Sequence, residues 1–449
     1  MDQLAFKKSK YNYICNNHQG DMLIYNTLNG TFTKILSKDA EKYASLKSGP
    51  LNIQSDALQK SGIILPNDAD EEALYNALQH QILNENILTI VIVLTTKCNF
   101  RCTYCFESEY ESCAMNLDYD HAKAITNFVR KKIHKYRGLS VAWFGGEPLL
   151  NMEYIRKLSQ DFINICSCAK KEYSAVISTN GYLLTKEIFR ELLQFQVKEY
   201  QITIDGLEQT HNALRPLAGG KGTFKRITEN LEALKKVKGN FRVSIRTNCN
   251  SDVLENLNEY ISYIDNLLYQ DPRFKVYFSP VYDAGGSFSS DLRETLLNTD
   301  EVDLAVRAFN LLTHKSVFDE VWVTTRLSRN LLCGASLTGN YVFTEKGQVC
   351  KCSTHYQDDE ICHVGQIIDG QAVIDKYKEA KWLYNLSAQK EDCYNCVLKP
   401  ICYPNLCPYH LIKDEENPKS WCGSKKDKLL KFSELLKVMD HLNAFHVIV

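Results

Sequence analysis

Three cysteines lie within eight positions of one short segment, Lys97–Glu107 (KCNFRCTYCFE). Three residues separate Cys98 from Cys102, and two separate Cys102 from Cys105. A structural zinc site takes four ligands, usually from two paired elements, whereas this loop offers three thiols and no fourth nearby. Three thiolates fit a 4Fe–4S cluster whose fourth iron is left for a small ligand. A zinc site stays open as the alternative.

The composition of the chain favours metal or catalytic roles for its thiols. The 449 residues include 17 cysteines, and the formal net charge is −1. We find no signal-peptide pattern near the first residue, and the apolar run Ile87–Leu94 is too short to cross a bilayer. We therefore expect a soluble, cytoplasmic protein of two or three domains, in which disulfides are rare. Its near-neutral charge indicates neither a nucleic-acid nor a membrane partner.

From Leu88 onward, strand-like runs alternate with amphipathic stretches of helical length. This pattern is typical of βαβ units and predicts an α/β fold with a parallel sheet. Six such strands favour a partial (β/α)6 TIM barrel over a full barrel of eight. Catalytic and ligand-binding residues lie at the carboxyl ends of the strands in such folds. The cysteine motif begins directly after the first strand, where an active site is expected.

Four more short segments follow the next four predicted strands: Phe144–Pro148 (FGGEP), Ser178–Gly181 (STNG), Ile202–Gly206 (ITIDG) and Ile245–Asn248 (IRTN). A glycine pair lets backbone approach a ligand closely, and Glu147 offers a carboxylate to an ammonium group. Taken singly, each segment is also compatible with a turn, a strand-end cap, a helix start or an interior ion pair. Their succession at neighbouring strand ends favours one shared site.

Together with an aromatic residue before the last cysteine of the motif, this series resembles the radical S-adenosylmethionine (SAM) superfamily. The resemblance implies a 4Fe–4S cluster held by Cys98, Cys102 and Cys105, with SAM on the open iron. It also implies that Glu147 meets the SAM amino group and that Arg246 meets its carboxylate. The SAM-binding residues implied are Tyr104, Gly145, Gly146, Glu147, Ser178, Asn180 and Arg246.

The run Asp205–Pro216 (DGLEQTHNALRP) resembles the DGxxxxHDxxR pattern of the same family. Asn212 stands where aspartate is usual. His211 and Arg215 either orient the substrate or brace the loop after the fourth strand. For Asp205 the resemblance implies a role as catalytic base.

A second population of cysteines runs from Cys333 to Cys422. Its spacing resembles the SPASM extension, which carries two auxiliary 4Fe–4S clusters, although four residues instead of three separate the fifth and sixth predicted ligands. Zinc sites are the alternative. The position expected for a further ligand is Leu327, which cannot bind iron, and Cys362 is expected to be an unligated thiol. The ligands implied are Cys333, Cys352 and Cys407 for auxiliary cluster I, with Cys350 as candidate fourth, and Cys393, Cys396, Cys402 and Cys422 for auxiliary cluster II.

Residues 1–85 combine short β-prone runs with two helical patterns, which predicts a winged-helix-like α+β domain. This unit resembles the leader-recognition domains of enzymes that modify ribosomally made peptides, where an extended leader adds to a sheet edge. A structural or dimerising extension is the alternative. The further domains expected are a radical SAM partial barrel over 86–290, a bridging region over 291–332, a SPASM domain over 333–425 and a C-terminal helix over 426–449.

The resemblance implies a maturase that cross-links a precursor peptide through a 5′-deoxyadenosyl radical. A thioether from a cysteine, as in sactipeptides and ranthipeptides, is the bond we prefer. SAM, three 4Fe–4S clusters and a reducing partner such as flavodoxin or ferredoxin are implied. The alternatives are a carbon–carbon or carbon–oxygen cross-link, formylglycine formation in a sulfatase, and a non-enzymatic iron–sulfur redox sensor or electron carrier.

Overall fold

The structure is a computed structural model of the whole chain. Four of the seven predicted auxiliary-cluster ligands, Cys393, Cys402, Cys407 and Cys422, lie outside the residues that it describes, as does most of the bridging region. The described residues are 6–45, 53–83, 86–105, 114–269, 271–281, 295–297, 333–357, 360–384, 395–401, 408–413, 432–434, 436–437, 439–440 and 446–448.

The N-terminal region combines antiparallel strands with three helices. Its strands are β1 (Phe6–Lys8), β2 (Asn12–Asn16), β3 (Met22–Asn26), β4 (Thr31–Ile35) and β5 (Ile64–Pro66). Its helices are α1 (Ala40–Ser45), α2 (Ile53–Lys60) and α3 (Glu71–Leu83). β2, β3 and β4 form a meander, and β1 pairs with β5. The β3–β4 turn ends at Gly30, whose φ of +78° lies in the left-handed region that glycine adopts at no steric cost.

The centre of the molecule is a sheet that contains six parallel strands in chain order, which confirms the predicted partial barrel. These strands are β6 (Ile87–Thr95), β7 (Gly138–Gly145), β8 (Glu172–Thr179), β9 (Val197–Thr203), β10 (Arg242–Cys249) and β11 (Phe274–Pro280). The helices between them are α4 (Tyr119–Lys132), α5 (Met152–Ala169), α6 (Lys186–Gln194), α7 (Glu208–Leu214), α8 (Phe224–Lys235), α9 (Ser251–Glu255) and α10 (Leu257–Leu268).

The six strands have one fully buried face and one partly exposed face. Ile90, Ile177 and Ile245 lie on the buried face and pack with the helices in one large apolar core. Side chains alternate between the faces of a strand, so the residues between them point the other way. Ser178 and Arg246 lie on that partly exposed face. The face that the helices leave open therefore carries polar side chains.

The sheet continues beyond β6 through a C-terminal hairpin system instead of closing on β11. β12 (Asn340–Phe343) pairs parallel with β6, and the three strands that follow are antiparallel. These three are β13 (Gln348–Cys350), β14 (His363–Ile368) and β15 (Gln371–Ile374), and two further helices are α11 (Lys376–Tyr384) and α12 (Pro408–Lys413). Short 3-10 turns lie at Ser37–Asp39, Ile133–Lys135, Pro148–Asn151, Gly334–Ser336, Glu360–Cys362 and Lys399–Ile401.

The last part of the chain returns to the N-terminal sheet. Phe432 packs edge-on against Tyr13 at a centroid distance of 4.8 Å, and Asp440 pairs with Lys34 at 3.1 Å. Strand β16 (His446–Ile448) then pairs parallel with the outer edge of β4. These three residues are an exception to the C-terminal helix predicted over 426–449. Pairing across more than 400 residues gives these apolar residues a strand partner that local sequence does not reveal.

The described helices include none that is both long enough and apolar enough to cross a membrane. The winged-helix-like and SPASM assignments of the two ends of the chain stay predictions.

Candidate active site

The loop that carries the three-cysteine motif leaves the C-terminal end of β6 and is fixed by main-chain hydrogen bonds. Arg101 N donates to Pro216 O at 2.8 Å, and Thr103 N donates to Leu214 O at 2.9 Å. Both acceptors belong to the segment at the end of α7. The motif is therefore tied to the connection that follows β9 as well as to its own strand.

Two donors approach the sulfur of Cys98. Phe100 N lies 3.4 Å from it and Asn180 Nδ2 lies 3.9 Å away. Burial raises the pKa of Cys98 to about 12 and raises the pKa of Cys102 as well. In this environment the thiols stay protonated unless a positive charge binds them, whereas N–H groups directed at sulfur favour the thiolate. The two N–H groups directed at Cys98 suit a thiolate that binds a cationic metal centre.

Gly145 and Gly146 bring β7 into direct contact with the cysteine loop. Gly146 N donates to Thr95 O at 2.9 Å, and Gly145 has a φ of +118°. A Cβ would lie 2.2 Å from Thr95 O at position 145 and 2.6 Å from Lys97 O at position 146. Any larger residue would push the motif away from the sheet, and the predicted approach of this glycine pair to a ligand stays a prediction.

Glu147 is fully buried, and its carboxylate lies among donors of the protein itself. It accepts hydrogen bonds from Leu149 N at 3.0 Å, Asn180 N at 2.8 Å and the Thr179 hydroxyl at 2.8 Å. Burial raises its pKa, and the Asn180 N–H opposes that rise. Its predicted contact with the SAM amino group stays a prediction. Its evident role is to join the ends of β7 and β8.

Tyr104 connects the cysteine motif to the ends of β9 and β10. Its hydroxyl donates to the Asp205 carboxylate and accepts from Arg215 Nη1 at 2.5 Å and from Asn248 Nδ2 at 3.0 Å. Asp205 also accepts from Asn248 N at 2.7 Å and is fully buried. Burial raises its pKa, and Arg215 opposes the rise. Its predicted role as a base would require this network to open to the substrate.

Asn248 is a site residue that sequence reasoning missed, although it lies in the quoted IRTN segment. In addition to its bonds to Tyr104 and Asp205, its side-chain oxygen accepts from Arg246 Nε at 2.8 Å. Arg246 further reaches Ser279 Oγ at 3.3 Å, which holds its guanidinium at the C-terminal ends of β10 and β11. Asn248 follows Thr247 near the C-terminal end of β10. This position at a strand end was the signal available in the sequence.

His211 and Asn212 brace the connection after β9. His211 is fully buried, and its ring accepts from Asp205 N at 3.1 Å and contacts Thr223 Oγ1 at 3.1 Å. Burial holds the pKa of His211 well below its usual range. Asn212 accepts from Thr223 N at 2.7 Å at the start of α8. Of the two alternatives for His211, the structure favours the bracing role.

The predicted auxiliary ligands that the structure describes fall into two places. Cys333 and Cys352 pack, partly buried, against a second apolar cluster that includes the fully buried Cys350 and Cys362. Cys396 lies elsewhere, in a turn whose next residue accepts a hydrogen bond from Thr27 of the N-terminal region. The assignment of these cysteines to two auxiliary clusters stays a prediction.

The cysteine loop fits a 4Fe–4S cluster with bound SAM. Three thiols come from one loop, two N–H donors face the first of them, and the glycine pair leaves room for close backbone approach. Among the described residues, no three His, Cys, Asp or Glu side chains gather so as to hold a single metal ion. A cluster spreads its thiolate ligands over several irons.

Comparison with known proteins agrees with this site. A model of the radical SAM superfamily matches residues 92–259. The radical SAM cyclopropyl synthase TigE of Paramaledivibacter caminithermalis is 28% identical over 235 residues, which is 48% of either chain. The cysteine-type anaerobic sulfatase-maturating enzyme of Clostridium perfringens is 23% identical over 326 residues, 68% of this chain and 84% of that enzyme. This chain thus spans about half of the first relative and most of the second.

Two solved structures share the fold. The structure of anSMEcpe with bound AdoMet and the Cp18Cys peptide aligns with a TM-score of 0.61 at 19% identity, covering 79% of this chain and 99% of that one. Streptococcus suis SuiB bound to its precursor peptide SuiA aligns with a TM-score of 0.50 at 14% identity, covering 92% and 98%. The chain is therefore an enzyme with a radical SAM domain over residues 92–259, a fold that binds SAM and a 4Fe–4S cluster.

Proposed function

We propose that this enzyme cross-links a ribosomally synthesised precursor peptide, with a thioether from a peptide cysteine as the bond to test first. The observation that carries the proposal is the three-cysteine loop, held against a glycine pair at the end of a sheet with a polar open face. Peptides are bound in the structures of anSMEcpe and SuiB, which supports a peptide as the substrate here.

When bound, the reduced cluster supplies the electron that cleaves SAM into methionine and a 5′-deoxyadenosyl radical. The residues of the chain position the reactants. Cys98, Cys102 and Cys105 would hold the cluster, and Arg246, fixed by Asn248, would bind the SAM carboxylate. The Tyr104 network keeps the cysteine loop at a set distance from the strand ends, so that the reacting atoms stay aligned.

The overall reaction balances as follows. The peptide loses one hydrogen atom from a carbon, and its transfer to the deoxyadenosyl radical gives 5′-deoxyadenosine. The cysteine thiol loses one proton. A carbon–sulfur bond forms, and one electron is left over. The C-terminal cysteines would hold auxiliary clusters, which would supply an acceptor for that electron.

The N-terminal sheet would bind the leader segment of the peptide at the outer edge of β4. This edge already takes an added strand, because β16 pairs with residues 33–35. α2 contacts β16 and therefore lies beside this edge. An extended peptide at this edge would gain main-chain hydrogen bonds from β4 and side-chain selectivity from α2. β16 spans only three residues, so a longer peptide strand would form more of these bonds than it does.

Mass spectrometry of co-expressed peptides tests the proposed function. Each short reading frame beside the gene would be expressed with the enzyme under anaerobic conditions and treated with iodoacetamide. A thioether removes two hydrogen atoms and protects one cysteine from alkylation, whereas a carbon–carbon or carbon–oxygen link removes two hydrogen atoms and leaves the cysteine reactive. Peptides that return unchanged, while 5′-deoxyadenosine accumulates, would contradict cross-linking.

Sulfatase maturation is the second candidate, because this chain covers 84% of the sulfatase-maturating relative. A cysteine-containing sulfatase peptide tests it. Formylglycine formation replaces the thiol by an aldehyde, which a hydrazide probe detects. A cross-linked peptide contains no aldehyde and would not react with the probe. The N-terminal region argues for the precursor-peptide proposal, since the SuiB alignment covers 92% of this chain and the anSMEcpe alignment covers 79%.

A further inference from the structure

Cys362, expected from the sequence to be an unligated thiol, lies beside a predicted auxiliary-cluster ligand. It is fully buried in the cluster of apolar residues around Tyr356, against which Cys333 and Cys352 pack. The main-chain hydrogen bond from Lys351 N to Cys362 O places Cys352, the next residue, beside Cys362. Two of the cysteines assigned to auxiliary cluster I thus share one buried site with a thiol that had no assigned role.

The pairing of β13 with β14 produces this contact. Cys350 is paired with His363 at the end of the ladder, and Lys351 N donates to Cys362 O at 3.2 Å. The chain therefore brings positions 352 and 362 together as the strands separate. The Cys350 thiol has a partner of its own, because it donates a hydrogen bond to Tyr356 O at 3.8 Å within the apolar cluster.

Two neighbouring helices link the turn that contains Cys362 to the turn that follows Cys333. The turn Glu360–Cys362 packs against α12, and α12 packs against α11. α11 also packs against the turn Gly334–Ser336, which follows Cys333 directly in the chain.

A buried cation accompanies these thiols. Lys351 is 1% exposed, and its ammonium donates to Leu337 O and Asn340 O at 2.7 Å each. Burial lowers the pKa of Lys351 to about 8, and the neighbouring Cys333 opposes that fall. Low-dielectric surroundings strengthen the attraction between a cation and thiolates, so this site suits a group bound through several negatively charged sulfurs.

We propose that Cys362, together with Cys333 and Cys352, is a ligand of auxiliary cluster I. This inference rests on the proposed function for the presence of that cluster, and it assigns the fourth position to Cys362 in place of Cys350. Cys407, a further ligand predicted from the sequence, lies outside the described residues. A substrate thiolate would bind this cluster only by displacing Cys362, whereas a carbon–carbon or carbon–oxygen link would need no such exchange.

Two matched variants test the proposal in the full chain after anaerobic reconstitution. Cys362→Ala and Cys350→Ala each remove one fully buried thiol from the same apolar cluster. The readouts are iron and sulfide content, the EPR spectrum of the reduced protein, and the response of that spectrum to added 2-mercaptoethanol. Cys362→Ala is expected to lose about four irons or to gain a spectral response to the added thiol, because a 4Fe–4S cluster lacking one ligand is lost or opened. Cys350→Ala is expected to match the wild type.

Three results would overturn the assignment: Cys362→Ala indistinguishable from the wild type, iron loss in Cys350→Ala alone, or equal iron loss in both variants. Cys362→Ser provides a further check, since a serine oxygen retains a ligand and should keep the cluster with a shifted spectrum. Formation of 5′-deoxyadenosine, which depends on the Cys98 loop, is measured in parallel. If the wild type formed none, the proposed function would fail, while the iron and EPR results would still decide the role of Cys362.

Discussion

Gly146→Ala tests the contact between the glycine pair and the cysteine loop. A Cβ at this position would lie 2.6 Å from Lys97 O and 2.9 Å from Thr96 O. Both are main-chain atoms, which cannot rotate out of the way as a flexible side chain does. Gly146 has no positive φ, so the expected effect is steric and does not involve backbone strain.

The size of the effect follows from these distances. Ordinary contact begins at 3.4 Å, so the loop must move by about 0.8 Å. That movement stretches the hydrogen bonds from Gly146 N to Thr95 O at 2.9 Å and from Glu147 N to Lys97 O at 3.0 Å. Overpacking costs about 1–3 kcal/mol, and each weakened bond costs about 0.5–1.5 kcal/mol. The total is about 2–6 kcal/mol, concentrated beside Cys98.

Gly219→Ala is the matched control, because no atom lies within 4 Å of its added Cβ and its φ is not positive. Both variants would be reconstituted anaerobically, and apparent Tm, iron content and 5′-deoxyadenosine formation would be measured. Gly219→Ala should match the wild type. Gly146→Ala should melt at a lower temperature and form at least about tenfold less 5′-deoxyadenosine, a factor that corresponds to ~1.4 kcal/mol. Equal values for the two variants would refute the inferred contact between sheet and loop.

Three further predictions follow from the site and the N-terminal sheet. Asp205→Asn should lower both the apparent Tm and 5′-deoxyadenosine formation. The substitution removes the carboxylate that pairs with the buried Arg215, and an unpaired buried charge costs about 3–5 kcal/mol. Retained SAM cleavage with loss of peptide product would instead support a base role for Asp205. In iron-free protein at pH 7, iodoacetamide should modify Cys352 before Cys98, as peptide mapping would show. The hydrogen bond from Cys362 lowers the pKa of Cys352 to about 6, whereas burial raises that of Cys98 to about 12, and only the thiolate reacts; equal labelling would contradict these surroundings. Deletion of residues 446–449 should speed hydrogen exchange of the β4 amides, while unchanged exchange would show that β16 does not protect this edge.

The sequence was sufficient for the features that depend on local pattern. The spacing of apolar side chains predicts the alternating burial along β6 to β11. It also predicts the helices of about ten residues between these strands. The cysteine motif could be placed at a strand end for the same reason. Glycines at 145 and 146 indicated close backbone approach because no other residue type suits it.

Contacts between distant segments could not be obtained in this way. Tyr104 and Asp205 are 101 residues apart, and only the folded sheet brings their side chains together. β16 pairs with β4 across the length of the chain, so its strand conformation depends on a partner that local periodicity cannot reveal. The nearness of Cys352 and Cys362 likewise depends on the register of a hairpin and not on their spacing.

The central claim is that the loop of Cys98, Cys102 and Cys105 holds a redox-active cluster to which SAM binds. Anaerobic incubation of the reconstituted enzyme with SAM and dithionite, followed by chromatography, measures its direct product. We expect 5′-deoxyadenosine from the wild type and none from Cys102→Ala. Zinc in place of iron at this loop, or equal amounts of 5′-deoxyadenosine from both proteins, would contradict the account.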